Sequence, residues 1–414
     1  MEKRKIYLIG IGMGDDGTLT EKARACILES VVLAGAKRMV EPFWEQAQNL
    51  KKQVLVSYQS AEIGAFFRNH VKDGESGAVL LSGDVGFSSG AKKLMEELQD
   101  FQVELVPGIT SMVYFCSKLG ISWERVCMAS AHGKHTNLIQ RIKRHELCFF
   151  LMDGQKGLQE LCDKLLYYGM DDVVLSVGEN LSYESERIFR GSPKEVKQLT
   201  VGPLLVVVTE NKQAKDWTAM SIPDEAFIRT KVPMTKCEVR NVSIGKLRLT
   251  PDAIVYDVGA GSGSVSVEMA LQAPDIQVYA IEKNPDALEL LEKNKQKFAA
   301  DNIEIVAGIA PEALENLPAP THVFLGGSAG NMEEIFQCIF EKNPDCRVVA
   351  NTIALNSLTQ LMGILEKHRE YACDIVQMQT SVAKKVGAYQ LMMGQNPIYI
   401  VTIWKEEPHE TEDT

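Results

Sequence analysis

Two glycine-rich segments, one near the start of the chain and one past its middle, constrain its fold more than any other feature. Each follows a short apolar run and precedes a helix-like stretch. The first reads Gly10-Ile-Gly12-Met-Gly14 after residues 6–9, and the second reads Gly259-Ala-Gly-Ser-Gly263 after residues 253–258. A strand, a tight turn and a helix in that order begin a parallel α/β sheet. The sequence therefore predicts two α/β domains, each opened by its own glycine loop.

A polar, turn-rich stretch after the apolar run at 204–208 separates the two patterns. We predict a first domain over 1–212, a linker over 213–225, a second domain over 226–404 and a solvated acidic tail over 405–414. In the second domain seven strand candidates alternate with helix candidates, at 253–258, 277–282, 303–306, 321–325, 346–350, 371–377 and 397–404. That alternation predicts a doubly wound, Rossmann-like sheet, whereas the first domain is α/β with less regular spacing.

The charge and composition of this 414-residue chain argue against several classes of protein. The net charge of −11 argues against a nucleic-acid partner. No apolar run reaches the roughly 18 residues of a membrane span, so we expect no membrane partner. The nine cysteines form no C-x-x-C pair, which is typical of reduced thiols in a cytoplasmic protein. The histidines show no metal-binding spacing, so we expect no metal site.

The second glycine loop carries the most specific chemistry. Its backbone amides stand at the start of a helix, where a negative group such as a carboxylate is favoured. Glu282 ends the next predicted strand, where it can accept hydrogen bonds from both hydroxyls of a ribose and would repel a 2′-phosphate. The Gly-x-Gly-x-Gly spacing is one residue shorter than the Gly-x-Gly-x-x-Gly of NAD sites. An NAD-dependent dehydrogenase built on Gly259 and a glycine turn without a ligand both stay open at this point.

The second half of the chain resembles a known enzyme family. The run from Asp257 to Gly263 is similar to motif I of class I methyltransferases that use S-adenosyl-L-methionine. Residues 233–240 (PMTKCEVR), 310–314 (APEAL), 322–330 (HVFLGGSAG) and Asn396-Pro397 resemble the decarboxylating precorrin methyltransferases of cobalamin biosynthesis. The resemblance implies S-adenosyl-L-methionine as the cofactor.

The same resemblance implies a set of cofactor-binding residues. Thr235 would contact the cofactor from the segment before the first helix, and Glu282 would hold the ribose. Ala310 would lie beside the adenine, and Asp257 would order the loop and help to bind the ammonium group. The methionine end would be wrapped by the loop residues Gly259, Ala260, Gly261, Ser262 and Gly263.

The first half of the chain resembles a different family, the tetrapyrrole (corrin and porphyrin) methylases. The matching segments occur in the family's order, at 7–15 (YLIGIGMGD), 81–87 (LSGDVGF), 106–111 (VPGITS), 130–134 (SAHGK) and 178–181 (GENL) with Glu186-Arg187. The resemblance implies a two-lobed α/β fold with the cofactor in the cleft between the lobes. Gly10 and Gly12 would face the substrate. The cleft would be lined by Gly83, Asp84, Val85, Thr110 and Ser111.

Together the two resemblances imply a bifunctional methyltransferase of cobalamin (vitamin B12) biosynthesis. The expected substrate is a corrinoid tetrapyrrole, methylated at the meso carbons C5 and C15, with loss of carbon dioxide from its C12 acetate. The N-terminal domain would methylate C5, and the C-terminal domain would methylate C15 and decarboxylate. Both families also imply a homo-oligomer. A non-catalytic tetrapyrrole-binding protein stays open as an alternative, because Met13 and Val85 stand where proline is common in the family.

Three residues are candidates for catalytic roles. Methyl transfer to carbon is an in-line displacement that needs positioning rather than a protein nucleophile. Because the substrate carries many carboxylates, Lys236 and Arg240 are candidates to bind them, and Arg240 could grip one with two hydrogen bonds. His132 could donate to a propionate or tune a proton transfer. A purely structural histidine is an equally open interpretation of His132.

Overall fold

The computed structural model describes residues 4–130, 136–215 and 221–405. The chain divides into two compact units, residues 1–135, 145–166 and 170–213, and residues 136–144, 167–169 and 214–414. Among the described residues, no helix is long and apolar enough to cross a membrane. All nine cysteines are free thiols.

The first sheet of the N-terminal unit is fully parallel, with strand order β3-β2-β4-β1-β5. Helices α1 to α3 pack on one of its faces and α4 and α5 on the other, so its strands are buried on both sides. Its elements are β1 (Lys5–Gly10), α1 (Glu21–Glu29), β2 (Val32–Gly35), α2 (Lys37–Val40), α3 (Trp44–Asn49), β3 (Gln53–Val56), α4 (Ser60–His70), β4 (Ser76–Leu81), α5 (Ala91–Glu97) and β5 (Gln102–Val106).

A second, mixed sheet follows in the chain, with order β6-β7-β10-β8-β9. Only β6 and β7 pair in parallel; the other neighbours are antiparallel. The elements are α6 (Ser111–Leu119), β6 (Val126–Ser130), α7 (Leu138–Arg144), β7 (Leu147–Asp153), α8 (Gly154–Tyr167), β8 (Val174–Glu179), β9 (Arg187–Gly191), α9 (Pro193–Val196) and β10 (Leu204–Glu210). The two sheets give the predicted two-lobed α/β architecture.

The C-terminal unit contains a seven-stranded sheet in the order β13-β12-β11-β14-β15-β19-β16, and its first five strands are parallel. Helices α10 to α12 cover one face and α13 and α14 the other. The elements are α10 (Cys237–Leu247), β11 (Ile254–Val258), α11 (Ser264–Ala270), β12 (Gln277–Glu282), α12 (Pro285–Phe298), β13 (Ile303–Ala307), β14 (His322–Leu325), α13 (Met332–Lys342), β15 (Arg347–Thr352), α14 (Leu355–Lys367), β16 (Tyr371–Met378), β17 (Ser381–Val386), β18 (Tyr389–Gly394) and β19 (Ile398–Lys405).

This arrangement confirms the predicted doubly wound sheet of seven strands. The chain steps outward from β11 to β12 and β13, then crosses back to β14 and β15 on the other side of β11. The strand order therefore reverses between β11 and β14. In open α/β sheets, ligands bind beyond the carboxyl ends of the strands at such a reversal. The second glycine loop directly follows β11, so the fold brings it to that position.

Candidate active sites

A cavity of about 970 Å³ lies at the carboxyl ends of the central strands of the C-terminal sheet. Its wall includes residues that follow β11, β12, β14 and β15, together with the segment that precedes α10. A volume of this size is sufficient for a cofactor-sized ligand. Of the cofactor residues expected in this half of the chain, the cavity wall brings together Thr235, Gly259, Ala260, Gly261, Ser262, Glu282 and Ala310.

The glycines of the second loop are needed because the backbone turns tightly against its neighbours. Gly259 has a φ of +77°, and a Cβ atom there would lie 2.9 Å from the amide nitrogen of Gly327. The amides of Gly259 and Ala260 both donate to the carbonyl of Ile281 at 3.0 Å. The loop is therefore fixed between the ends of β12 and β14, and only glycine fits at its first position.

Glu282 lies at the end of β12 with its carboxylate on the cavity wall. One oxygen accepts from the Gly261 amide at 2.9 Å, and the other accepts from the amides of Lys283 and Asn284, both at 2.8 Å. Because a carboxylate has about four acceptor positions, one remains for a ligand hydroxyl. The three amides hold the side chain in place before any ligand arrives.

Two predicted cofactor residues lie behind the loop and outside the cavity wall. Asp257 is fully buried; one of its oxygens accepts from the Ser266 hydroxyl, and the other has no hydrogen-bond partner among the described residues. Burial raises the pKa of Asp257 to about 7. A Cβ atom on Gly263 would lie 2.8 Å from the Leu291 side chain. Asp257 therefore contacts α11 through Ser266, and Gly263 lets α11 pack closely on α12. Their contacts with the cofactor stay predictions.

Arg240 does not have the role that the sequence suggested. Its side chain is 0% exposed, so the prediction that it binds a substrate carboxylate is wrong. The guanidinium donates to Glu268 at 3.0 Å and to Asp224 at 2.8 Å, and it also donates to the carbonyls of Ile222 and Thr235. It stacks over the Phe227 ring at 4.9 Å. Arg240 thus fixes residues 222–235 to α10 and α11, and the fixed segment includes the cavity residue Thr235.

Lys236 is the cationic candidate that the structure leaves at the cavity. Its side chain is 38% exposed and forms an ion pair with Asp224 at 3.7 Å. Because Asp224 also pairs with Arg240, the buried network reaches the cavity through this one carboxylate. The proposed contact between Lys236 and the substrate stays a prediction.

The cavity residues fit the cofactor that the sequence suggested. Ser262 lines the cavity, is 2% exposed, and its hydroxyl has no hydrogen-bond partner among the described residues. A buried hydroxyl without a partner is costly, and a polar ligand group at the loop would satisfy it. Glu282 offers an acceptor to a ribose, and Ala310 offers an apolar surface to a base.

In the N-terminal unit, three loops meet at glycine residues. Gly12 and Gly83 exchange backbone hydrogen bonds of 3.1 and 2.8 Å. A Cβ atom on Gly108 would lie 2.2 Å from the Gly83 carbonyl oxygen and 2.5 Å from that of Gly10. Gly108 was not among the predicted site residues, although the turn-forming Pro107-Gly108 pair marks it. Asp84 secures the junction, because its carboxylate accepts from the Gly108 amide at 2.9 Å.

The remaining N-terminal candidates divide into two groups. Gly10 and Gly12 are buried in this junction, where they let the loops approach each other, and the expectation that they face the substrate stays a prediction. Gly83, Asp84, Val85, Thr110 and Ser111 are all partly exposed around it. Thr110 also caps α6 by accepting from the Val113 amide at 3.1 Å. Their contacts with a cofactor stay predictions.

The two remaining predictions concern His132 and the absence of a metal site. His132 lies outside the described residues. Within residues 4–130, 136–215 and 221–405, no three histidine, cysteine, aspartate or glutamate side chains are grouped to hold a metal ion.

Two different family models match the chain, one in each half. A precorrin methyltransferase domain model matches residues 225–406, and a tetrapyrrole (corrin/porphyrin) methylase model matches residues 5–197. The cobalt-precorrin-6B C(15)-methyltransferase (decarboxylating) of Salmonella typhimurium is 39% identical over 188 residues, which are 45% of this chain and 97% of the relative. The precorrin-6Y C(5,15)-methyltransferase [decarboxylating] of a Sinorhizobium species is 26% identical over 407 residues, which are 96% of this chain and 95% of the relative. A solved structure of precorrin-6Y C5,15-methyltransferase from Geobacter metallireducens is 38% identical over 45% of this chain and 97% of its own, with a TM-score of 0.43.

Proposed function

The chain belongs to the decarboxylating precorrin methyltransferase family, and we propose that it is a bifunctional enzyme of cobalamin biosynthesis that methylates a precorrin-6 macrocycle at C5 and C15 and removes the C12 acetate carboxyl group. S-adenosyl-L-methionine is the proposed methyl donor in both units. We assign C5 to the N-terminal unit, and C15 with decarboxylation to the C-terminal unit.

The observation that carries this proposal is the pairing of two different glycine-built sites in one chain. One site lies at the second glycine loop, where a cavity is bordered by Glu282 and the amide-rich turn. The other lies at the junction of Gly10, Gly83 and Gly108. A single-site methylase would need only one of them. The Sinorhizobium relative, which is named for both methylations, matches both halves at once.

In the C-terminal unit the protein acts by holding and orienting the reactants. S-adenosyl-L-methionine would supply an electrophilic methyl group when bound. Glu282 would hold the ribose, the Ser262 hydroxyl would bond the polar methionine end, and Ala310 would pack beside the base. The macrocycle accepts the electron pair released by decarboxylation, so no covalent protein nucleophile is required. Lys236 attracts the anionic substrate to the cavity mouth.

The N-terminal unit would also act by holding and orienting the reactants, but its site is built from different loops. Asp84 fixes the loop after β4 to the loop after β5, and the α6 N-cap Thr110 adjoins them. These loops would hold the methyl donor in position for transfer to C5. The junction allows no side chain at Gly108, so its shape depends on close backbone contact.

Equilibrium titration with S-adenosylhomocysteine tests the two-site proposal. We expect two molecules bound per chain, and one per chain for Glu282→Ala, which removes the ribose acceptor. Glu289→Ala is the matched control, because Glu289 lies exposed on α12 and pairs with Lys293. One site or none in the wild-type chain would contradict the proposal. Binding of NADH without S-adenosylhomocysteine would favour the dehydrogenase alternative.

A further inference from the structure

The cavity of the C-terminal unit extends well beyond the strands that carry the predicted cofactor contacts. The glycine loop and Glu282 follow β11 and β12, whereas other wall residues follow β14 and β15 on the opposite side of β11. Four neighbouring strand ends span about 14 Å at the usual strand spacing. A cofactor held at β11 and β12 therefore leaves the ends of β14 and β15 for the methyl acceptor.

The charged side chains of this cavity are distributed unevenly. Among the described wall residues only Lys236, Glu282 and Lys283 carry charge. Glu282 and Lys283 lie at the end of β12, and the Lys236 ammonium pairs with Asp224. The wall at the ends of β14 and β15 is formed by small, apolar and uncharged polar residues, namely Gly326, Gly327, Ser328, Ala329, Asn351, Thr352, Ile353 and Ala354.

Asn351 is the wall residue in this part whose amide contacts a buried hydroxyl. Its Nδ2 atom donates to the Ser243 hydroxyl at 2.9 Å, and Ser243 on α10 is 0% exposed. The same hydroxyl lies 2.8 Å from the Val239 carbonyl, to which it donates. The Asn351 Oδ1 atom lies 3.2 Å from the same hydroxyl. Because the hydroxyl donates to the nearer Val239 carbonyl, its oxygen is left to accept from the Asn351 Nδ2 atom. Asn351 keeps one N–H for a ligand, whereas the neighbouring Thr352 hydroxyl already donates to the Ala354 carbonyl at 3.1 Å.

We propose that the ends of β14 and β15 form a subsite for the reacting acetate side chain, in which the Asn351 amide orients the carboxylate within an uncharged wall. This inference rests on the proposed decarboxylating function. In the reaction the bond between the acetate methylene and its carboxyl carbon breaks, and CO₂ leaves. The electron pair of that bond passes through the conjugated macrocycle to the meso carbon, which uses it to bond the transferred methyl group. The pair of the old carbon–sulfur bond stays on sulfur, so the carboxylate and sulfonium charges cancel.

The uncharged wall matters because the carboxylate loses its charge as the reaction proceeds. A fixed cation beside it would stabilise the starting carboxylate more than the transition state, in which the charge has spread into the macrocycle. Stabilising the ground state more than the transition state slows the step. A neutral amide donor orients the group with a smaller electrostatic penalty. The Asn351 amide would thus orient the substrate carboxylate without strongly stabilising it before the reaction.

The test compares Asn351→Lys with Asn356→Lys in the full chain. Asn356 is an exposed residue of α14 outside the cavity wall and supplies the matched control. The assay uses precorrin-6B labelled with ¹³C in the C12 acetate carboxyl group and follows labelled CO₂, with S-adenosylhomocysteine affinity measured on each variant. We expect Asn351→Lys to lower kcat for CO₂ release at least about tenfold. We expect an unchanged or lower KM for the macrocycle and unchanged S-adenosylhomocysteine affinity, with wild-type values for the control.

Asn351→Ala provides a second test of the proposed subsite. Asn351→Ala removes the donor without adding charge, so we expect a lower kcat together with a higher KM. If Asn351→Lys loses S-adenosylhomocysteine binding through misfolding, Asn351→Ala decides the question. Wild-type kcat in either variant that binds S-adenosylhomocysteine would overturn the subsite. If the wild-type chain releases no CO₂ at all, the proposed function itself fails.

Discussion

Replacing Arg240 by methionine would remove the centre of a buried charge network. The guanidinium is the hydrogen-bond partner of Glu268, which is itself 1% exposed. It also bonds two backbone carbonyls of the segment at 222–235, which borders the cofactor cavity. Methionine fills much of the volume but offers no donor. The variant would therefore remove the cationic partner of the Glu268 carboxylate, which keeps its bond from the Ile222 amide, and would remove the donor to two backbone carbonyls.

The expected cost is large and depends on pH. Removing one partner of a buried ion pair destabilises proteins by about 3–5 kcal/mol. Burial raises the pKa of Glu268, and the charge and hydrogen bond of Arg240 counteract that rise. Without Arg240 the folded-state pKa lies further above the unfolded value. Protonated Glu268 then stabilises the folded variant in acid. That contribution is lost as the pH rises through the pKa of Glu268 in the folded state. The free energy of unfolding of the variant should therefore fall relative to wild type as pH increases above about 4.3.

Urea unfolding at several pH values measures this effect. Replacing Trp44 and Trp123 by phenylalanine leaves tryptophans only in the C-terminal unit, whose unfolding the fluorescence then reports. Arg229→Met is the matched control, because Arg229 is exposed in the same segment and should change stability by less than about 0.5 kcal/mol. Adding Glu268→Gln to the Arg240 variant should remove the pH dependence that the Arg240 substitution adds to the wild-type curve. An Arg240→Met protein as stable as the control at pH 7 would refute the network argument.

Three further outcomes follow from the same structure. Gly259→Ala places a Cβ against the backbone of the facing loop, so S-adenosylhomocysteine stoichiometry should fall from two to one per chain; Gly245→Ala, with open space around its Cβ, should leave it at two. Gly108→Ala collides with two carbonyl oxygens, so C5 methylation should be lost while C15 methylation persists, whereas Gly90→Ala should retain both. Asp257 has a pKa raised to about 7 by burial, so its protonated form stabilises the fold in acid and that contribution is lost as pH rises through 7. Asp257→Asn should flatten the dependence of unfolding free energy on pH between about 4 and 7, as measured by urea titration.

Sequence patterns predicted the parts of the fold that depend on local order along the chain. The seven strands of the C-terminal sheet are apolar runs with the expected spacing, and the glycine loop identifies the strand that it follows. Glu282 was predictable because an acid at the end of the second strand is a local feature of the same unit. The positions of the strands and of the loops that follow them are set within one βαβ segment, so the sequence displays them directly.

Features that depend on distant contacts were not predictable. Arg240 looked like a carboxylate-binding residue because its partners Asp224 and Glu268 lie elsewhere in the chain and their contacts are tertiary. Helix α10 shows no clear apolar period, since Arg240 and Ser243 occupy its buried face. The junction at Gly108 needs three loops to meet, which no single segment reveals.

The hairpin formed by β17 and β18 was missed for a different reason. All of its residues are exposed, so no buried face gives it a hydrophobic pattern. A local signal was present nonetheless. Val386 pairs with Tyr389 across the two-residue turn Gly387-Ala388, and Gly387 has a φ of +61°. Glycine at the first central position is typical of tight hairpin turns.

The most direct test of the central claim is to assign each new methyl group to a unit. The full chain would be incubated with precorrin-6B and S-adenosyl-L-methionine carrying a ¹³C-methyl group, and the product examined by NMR. For the wild-type chain we expect labelled methyl groups at C5 and C15 with one CO₂ per macrocycle. Gly108→Ala should lose C5 labelling alone, and Gly259→Ala should lose C15 labelling together with CO₂ release. Labelling at a single carbon by the wild-type chain, or loss of both labels in each variant, would contradict the central claim.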